Sequence, residues 1–319
     1  MIVAVIDIGS NSIKALAATR DPAGAIIELQ TGTIDARISA GLGQAQPRLS
    51  EEGMQHGLAA IRELLNQLTA VAPARTVLVA TSAVRDASNG AEFRERIHAA
   101  TGQEVRLLTG DEEANLIGRG LTSDPALADL QDFDVFDLGG GSLECLAFRN
   151  RRAEQALSLP LGCVRLTERC VTDPRAPFSD HSRTRVTAVC REALAKSGFR
   201  FALPPGAATV FAGGTITTVR AIFAERSSRP LAGTSPVITV QALRALLDDT
   251  ARLPLESRKQ IAGLPPARAD VFPTALATVL AVAEAGGITA FRHSLRNLRY
   301  GLAAELLAAP PPPSLSTNS

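Results

Sequence analysis

The chain has 319 residues, 45% hydrophobic and 20% charged, and its 33 Lys and Arg against 32 Asp and Glu leave a net charge of +1. That length suits about two ordinary domains with real cores, and the balance excludes a global field for nucleic acid or an anionic membrane. The N-terminus has no basic segment, and the most apolar late stretch, residues 274–291, is interrupted by Glu284 and two glycines, so neither a signal peptide nor a spanning helix is expected.

Ile2 to Ile6 is a continuous apolar run ending at Asp7, which suits a central strand buried on both faces. "GSNS" makes a turn, Ile13 to Ala18 returns as a second strand, and Ala25 to Thr33 completes a meander. Ser50 then caps a helix with Glu51 and Glu52 in its first turn and Leu58, Ile61, Leu65 and Leu68 on one stripe. "TVLVATSAVRDASNG" reads as a strand over Thr76–Ala80, a loop, and a helix opening near Ala91. "EVRLLTGDEEANLIGRGL" repeats that format, with a strand over Val105–Leu108 and a helix over Glu112–Leu121. A second series follows "FDLGGGSLEC": a helix over Arg183–Lys196, a strand over Thr209–Ala212, a helix from "GGTITTVRAIFA", and helices from Thr239 and Thr274. A short strand near "HSLRNL" precedes a last helix over Arg299–Ala308, and the terminal "PPPPSLSTNS" is expected to be disordered. Strands alternating with helices mean an α/β protein.

Residues 7–17, "DIGSNSIKALA", match residues 137–147, "DLGGGSLECLA", at a constant offset of 130, with Asp7/Asp137, Gly9/Gly139, Ser12/Ser142, Leu16/Leu146 and Ala17/Ala147 identical. Chance likeness of two glycine hairpins stands against an internal duplication; the duplication explains more, because both copies start a meander followed by α/β units. The expected division is residues 1–122 plus about 299–309 as one domain, 123–298 as the second, and 310–319 as a tail.

Two turns rich in Gly, Ser and Asn, with a third at "AGGT", offer exposed backbone N–H groups at the ends of apolar strands. Such nests bind anions, phosphate above all. None fits GxGxxG or GxxxxGK[ST], which disfavours a dinucleotide site or a P-loop. Asp7 and Asp137 stand just ahead of two of these loops and suit a metal ion near phosphate or, more plainly, turn capping. Glu144 shares a strand face with Ser142. Asp111, Glu112 and Glu113 open a helix; they either favour its dipole or place one acid in the cleft as a base. Arg85 suits bidentate phosphate binding or an ion pair with Asp86. Arginines also gather at Arg149, Arg151 and Arg152, where solvated surface is the plainer reading, and at Arg292, Arg296 and Arg299. Cys145, Cys163, Cys170 and Cys190 form no CxxC pair, which points to a reduced cytoplasmic chain without structural zinc, and the scattered histidines give no catalytic cluster.

"VIDIGSNS", "TSAVRDASN", "TGDEEANLI", "FDLGGGSLE", "LPLGCVRLTE" and "FAGGTITTVRAI" together resemble, in order, the motifs of the Ppx/GppA phosphatases, the exopolyphosphatases and guanosine pentaphosphate phosphohydrolases. The resemblance covers about residues 1–305 and implies duplicated ribonuclease H-like domains of the actin-like ATPase superfamily, with the active site in the interdomain cleft. It implies Mg²⁺-assisted hydrolysis of a terminal phosphoanhydride, Glu113 as catalytic base, Glu144 as its partner for water and metal, and Asp137 at the metal. Arg85, Ser10, Asn11, Ser12, Gly140, Gly141, Ser142, Gly213, Gly214 and Thr215 resemble the family's phosphate-binding positions. The implied partners are inorganic polyphosphate or guanosine penta- or tetraphosphate, without nucleic acid or membrane, and a homodimer is the assembly considered. An ATP-binding kinase or actin-like protein, and a polyphosphate or alarmone sensor, stand as alternatives from other classes. The chain resembles the short two-domain form, lacking the longer members' helical C-terminal half. It also departs from the pattern at "SLRNLRYGL", where Arg296, Asn297 and Tyr300 replace the usual residues, and at "VFPTALA", which lacks paired glycines.

Overall fold

A computed structural model describes residues 1–39, 46–201, 203 and 208–309. The terminal residues expected to be disordered lie outside the described residues. In the first half, β1 (Val3–Ile8), β2 (Ile13–Arg20) and β3 (Ile26–Ile34) form the meander, followed by α1 (Glu51–Leu68), β4 (Arg75–Ala80), α2 (Ser82–Asp86), α3 (Gly90–Thr101), β5 (Val105–Leu107) and α4 (Gly110–Thr122). The second half runs β6 (Phe133–Leu138), β7 (Leu143–Arg149), β8 (Arg152–Leu159), α5 (Cys163–Cys170), α6 (Asp180–Lys196), β9 (Ala208–Ala212) and α7 (Gly214–Arg226). It closes with β10 (Val237–Thr239), α8 (Val240–Ala251), α9 (Leu255–Arg258), α10 (Phe272–Ala285), β11 (Ala290–His293) and α11 (Leu298–Ala308).

The first sheet has the order β3-β2-β1-β4-β5 and the second β8-β7-β6-β9-β11-β10. In each, two antiparallel hairpin pairs lead to a central strand that pairs in parallel with the next ones. The shared order, with β10 as an added antiparallel edge, makes the two halves copies of one α/β architecture. The offset of 130 is therefore a structural repeat: Asp7 pairs with Lys14 across β1–β2, and Asp137 with Glu144 across β6–β7.

One apolar cluster joins the halves, taking Val3, Val5 and Leu16 from the first sheet and Phe133, Val135 and Leu146 from the second. Between the sheets lie α4, which packs on β8 and β7, and α11, which packs on β1 and β2. Glycine lets these helices touch backbone to backbone: a Cβ on Gly301 would fall 1.8 Å from the Leu116 carbonyl oxygen, and one on Gly120 2.1 Å from that of Asn297. Helix α4 starts with a capping box in which the Thr109 hydroxyl accepts from the Glu112 N–H and the Glu112 carboxylate from that of Thr109. Its register is thus fixed at the cap and along its length.

Two local expectations shift. The stretch after β4 is a short helix rather than a loop, because Thr81, in extended backbone, accepts from the N–H groups of Val84 and Arg85. The late strand is Ala290–His293, upstream of most of "HSLRNL", since its register partner is β9 at Val210 and Phe211. Among the described residues no helix is long and apolar enough to cross a membrane. The four cysteines are free and buried. Of the "RNRR" arginines Arg152 is exposed as expected, but Arg151 donates to the carbonyls of Leu127, Leu130 and Thr122, and Arg149 stands 3.6 Å from buried Asp134.

Candidate active site

The two hairpin turns face each other where the halves meet, and a cavity of about 80 Å³ lies between them. It is lined by Ser10, Asn11 and Ser12 from the first turn, Gly139 to Ser142 from the second, Gly213 and Gly214 from the third loop, and the acids Asp7, Glu113, Asp137 and Glu144. Contact between the turns is close: a Cβ on Gly140 would stand 2.8 Å from that of Ser10, and one on Gly141 2.3 Å from the Ser82 hydroxyl. Residue 140 is therefore glycine because the opposite turn already fills its space. The carbonyls of Gly139 and Gly140 accept from the N–H groups of Cys163 and Val164 at 3.0 and 2.9 Å, which turns them toward α5 and away from the cavity.

Gly213 has φ 92° and ψ 171°, a conformation essentially confined to glycine. A Cβ there would lie 2.3 Å from Asp137 Oδ1, so the third loop closes tightly over that carboxylate. Thr215, expected among the phosphate contacts, is buried in the first turn of α7 and does not line the cavity. Arg85 stands behind it, donating from Nη1 to Glu113 Oε2 at 3.0 Å and to the Leu108 carbonyl at 2.9 Å.

The acids are crowded and poorly solvated. Burial raises the Glu113 carboxyl to about 7 despite its bond to Arg85, and raises Glu144 well above its ordinary value, with Glu113 and Asp137 adding repulsion. Ser158 donates to Glu144 Oε1 at 2.8 Å. Burial also raises Asp7, and raises Asp137 to about 6. Like charges this close favour holding a proton or recruiting a cation.

Cations occupy the other wall. Lys14 is driven down to about 8 by burial and then by Arg299 and Arg268, with Asp7 and Asp137 opposing. Arg268 donates from Nη2 to Ser12 Oγ at 3.1 Å, and its guanidinium lies where a Cβ on Gly214 would go. An adjoining recess of about 220 Å³ shares Ser12, Lys14, Gly214 and Arg268 with the cavity, and adds Thr217, Thr218 and Arg299. Lys14 and Arg268 were not singled out from sequence. Lys14 sits at the position equivalent to Glu144, a usable signal; Arg268, on a short turn remote from every motif, offers none.

The Asp7 Oδ1 atom is buried without a partner, and Asp137 and Glu144 face each other across the ladder. Among the described residues no three His, Cys, Asp or Glu side chains are gathered tightly enough to cage an ion. Asp7, Asp137 and Glu144 are the side chains here that could take part in holding a divalent ion, which commonly uses one or two carboxylates with water and substrate phosphate.

The departures near the C-terminus are built into the interior. Arg296 donates to the carbonyls of Ser123 and Ile26 and lies 5.1 Å over the Tyr300 ring, and Tyr300 donates to Glu28. Asn297 lines the cavity with an unpartnered Oδ1.

The profile described as the Ppx/GppA phosphatase family matches residues 19–309. The Aquifex aeolicus PPX-GPPA enzyme is similar at 25% identity and a TM-score of 0.76, over 96% of this chain and 99% of that one. An exopolyphosphatase-like protein matches at 25% identity and TM-score 0.86, over 96% and 97%. An exopolyphosphatase from Cytophaga hutchinsonii has the same fold at 22% identity and TM-score 0.86, over 96% and 98%.

Proposed function

The chain belongs to the Ppx/GppA phosphatase family, and we propose that within it this protein is an exopolyphosphatase that releases the terminal phosphate of inorganic polyphosphate. The observation that carries the reading is the split of the cleft into an acidic wall and a cationic wall with the phosphate-sized turns between them. The adjoining recess shares Lys14 and Arg268 and adds Arg299, and among the described residues its lining has the single acid Asp35 and no aromatic side chain. Those features favour successive phosphates over a nucleobase, which would gain from a stacking surface. The similarity to the exopolyphosphatase-like protein supports the same substrate class.

The terminal phosphate would sit on the backbone of Gly140, Gly141, Gly213 and Gly214 and on Ser12 and Ser142. Arg85 and Arg268 would offer guanidinium donors, whose planar forks match phosphate oxygens. Glu113 orients a water and takes its proton as the water oxygen bonds to phosphorus and the bridging P–O bond breaks. Desolvation, which makes Glu113 a stronger base than a free carboxylate, suits that step. Asp137 and Glu144, with the free Oδ1 of Asp7, would hold Mg²⁺, which when bound neutralises charge on the transferred group.

Phosphate release is to be measured in parallel on short polyphosphate, long polyphosphate and pppGpp, with the wild type and Glu113→Gln. The expected result is polyphosphate cleavage that falls by about 10²-fold or more in the variant while binding persists. Faster release from pppGpp would reassign the substrate to the guanosine pentaphosphate, and near-wild-type turnover in Glu113→Gln would remove Glu113 as the base.

A further inference from the structure

Asp86 and Arg165 belong to none of the phosphate loops, yet they link the two halves beside the site. Asp86 ends α2, one residue after Arg85, and Arg165 lies in the first turn of α5. Arg165 Nη2 donates to Asp86 Oδ2 at 2.5 Å, and its Nε donates to the Gly141 carbonyl at 3.0 Å. The other oxygen, Asp86 Oδ1, lies 3.6 Å from Arg85 Nε. Arg85 in turn spends Nη1 on Glu113 and the Leu108 carbonyl. The result is an unbroken ionic sequence, Arg165–Asp86–Arg85–Glu113, running from the second half's glycine turn to the acid on α4.

Geometry gives this sequence a direction. Arg85 has two carboxylates competing for it, one on each edge of its guanidinium. With Asp86 3.6 Å from Nε and Glu113 on Nη1, the plane of the fork is set from both sides. Arg165 is what keeps Asp86 on the Nε edge, and Arg165 is itself pinned to the carbonyl of Gly141. All three side chains are partly shielded, with side-chain exposures of 23% for Arg85, 33% for Asp86 and 17% for Arg165, so their pairing is less screened than that of a fully exposed pair.

Resting on the hydrolase reading above, we propose that Asp86 and Arg165 are positioning residues. They aim Arg85, and through it Glu113, only while the second half's glycine turn sits against the first half. The pair reaches the site only through Arg85 and the Gly141 carbonyl, while most of the phosphate-binding groups do not touch it. Its loss therefore lowers turnover more than it weakens binding.

The test uses the full chain with short-chain inorganic polyphosphate and Mg²⁺, and compares Asp86→Asn, Arg165→Gln and their double variant, each also in an Arg85→Ala background. Expected are about tenfold losses in kcat for each single variant, KM within about threefold, and a double variant no worse than either single, as for residues that act as one unit. In the Arg85→Ala background Asp86→Asn should cost less than about twofold, because the group it aims is gone. A merely structural bridge between halves would instead cost the same in both backgrounds, and that result overturns the proposal. So does a wild-type-like kcat in both single variants. Melting temperatures measured alongside show whether a lost activity is lost fold; a loss that tracks melting and is restored by the swap Asp86→Arg with Arg165→Asp also overturns it, since the swap rebuilds the bridge but sets a cation against Arg85. Failure of the parent reading looks different: the wild type releases no phosphate, or Glu113→Gln matches it, and the positioning role falls with it.

Discussion

In the first hairpin Asp7 faces Lys14 across the ladder; in the second, at the same register, Asp137 faces Glu144. Around Lys14 stand Arg299 and Arg268, and around Glu144 stand Glu113 and Asp137. The turns differ in the same sense of division. Ser10 and Asn11 occupy the positions that are Gly140 and Gly141 in the repeat, and the side chains of one turn fill the space left by the other. A duplicated backbone has thus been divided into a wall that suits phosphate oxygens and a wall that suits water and a cation. The repeat supplies position, and the departures from the repeat supply chemistry.

The sharpest way to break this comparison is to make the second hairpin carry the charge of the first. Glu144→Lys should abolish polyphosphate hydrolysis, and Glu144→Gln should lower kcat by about 10²-fold. The reciprocal change on the other wall, Lys14→Gln, should act chiefly on binding and raise KM by about tenfold, the worth of one hydrogen bond to a charged group. Steady-state kinetics on one polyphosphate length separates the two. Equal effects on kcat from Glu144→Gln and Lys14→Gln would show that the walls do not divide the work.

A second experiment concerns the turns. Gly140→Ala puts a methyl 2.8 Å from Ser10 Cβ and should push the turns apart, lowering kcat by about tenfold, since displacements near 1 Å at a reacting centre cost up to 10²-fold. Combining it with Ser10→Gly should recover most of the loss. No recovery would mean that Ser10 contributes its hydroxyl rather than only its bulk.

How legible all this was in the sequence follows from where each residue gets its meaning. The turns announce themselves because glycine and serine after a β-branched run have a local conformational cause, and the offset of 130 converts two weak signals into one repeat. Glu113 could be placed in a helix's first turn, but as one of three adjacent acids; its burial, with 6% exposure, follows only from α4 being wedged between the sheets. Arg85 was legible as a phosphate-type residue, whereas the short helix that aims it was not, since a single turn held by Thr81 leaves no periodicity to read. Arg268 and the Asp86–Arg165 link were illegible because their partners lie 256 and 79 positions away. Tyr300 and Arg296 admit a reshaped pocket or, more plainly, a structural swap when read from sequence, and the structure favours the swap: they pack on each other and on Glu28, Ser123 and Ile26.

The smallest effect sharpens the comparison most, because the two walls should respond to pH in opposite windows. Glu144 has a folded-state value raised above its unfolded one, so the folded protein holds the extra proton and stability falls as pH rises from about 4.5. In metal-free buffer Glu144→Gln should therefore melt a few degrees above the wild type at pH 8 and together with it at pH 4. Lys14 has a folded-state value lowered from 10.5 to about 8; here the unfolded chain holds the extra proton between those values, and stability rises with pH across that interval. Lys14→Met should accordingly gain stability at pH 7 and lose that advantage between pH 8 and 10.5. Thermal melts of the three chains across pH 4–11 decide it. If the two stabilisation curves shared one window, the buried charges would be titrating as a single cluster, and the division of the cleft into two walls would be a matter of sequence position without an electrostatic consequence.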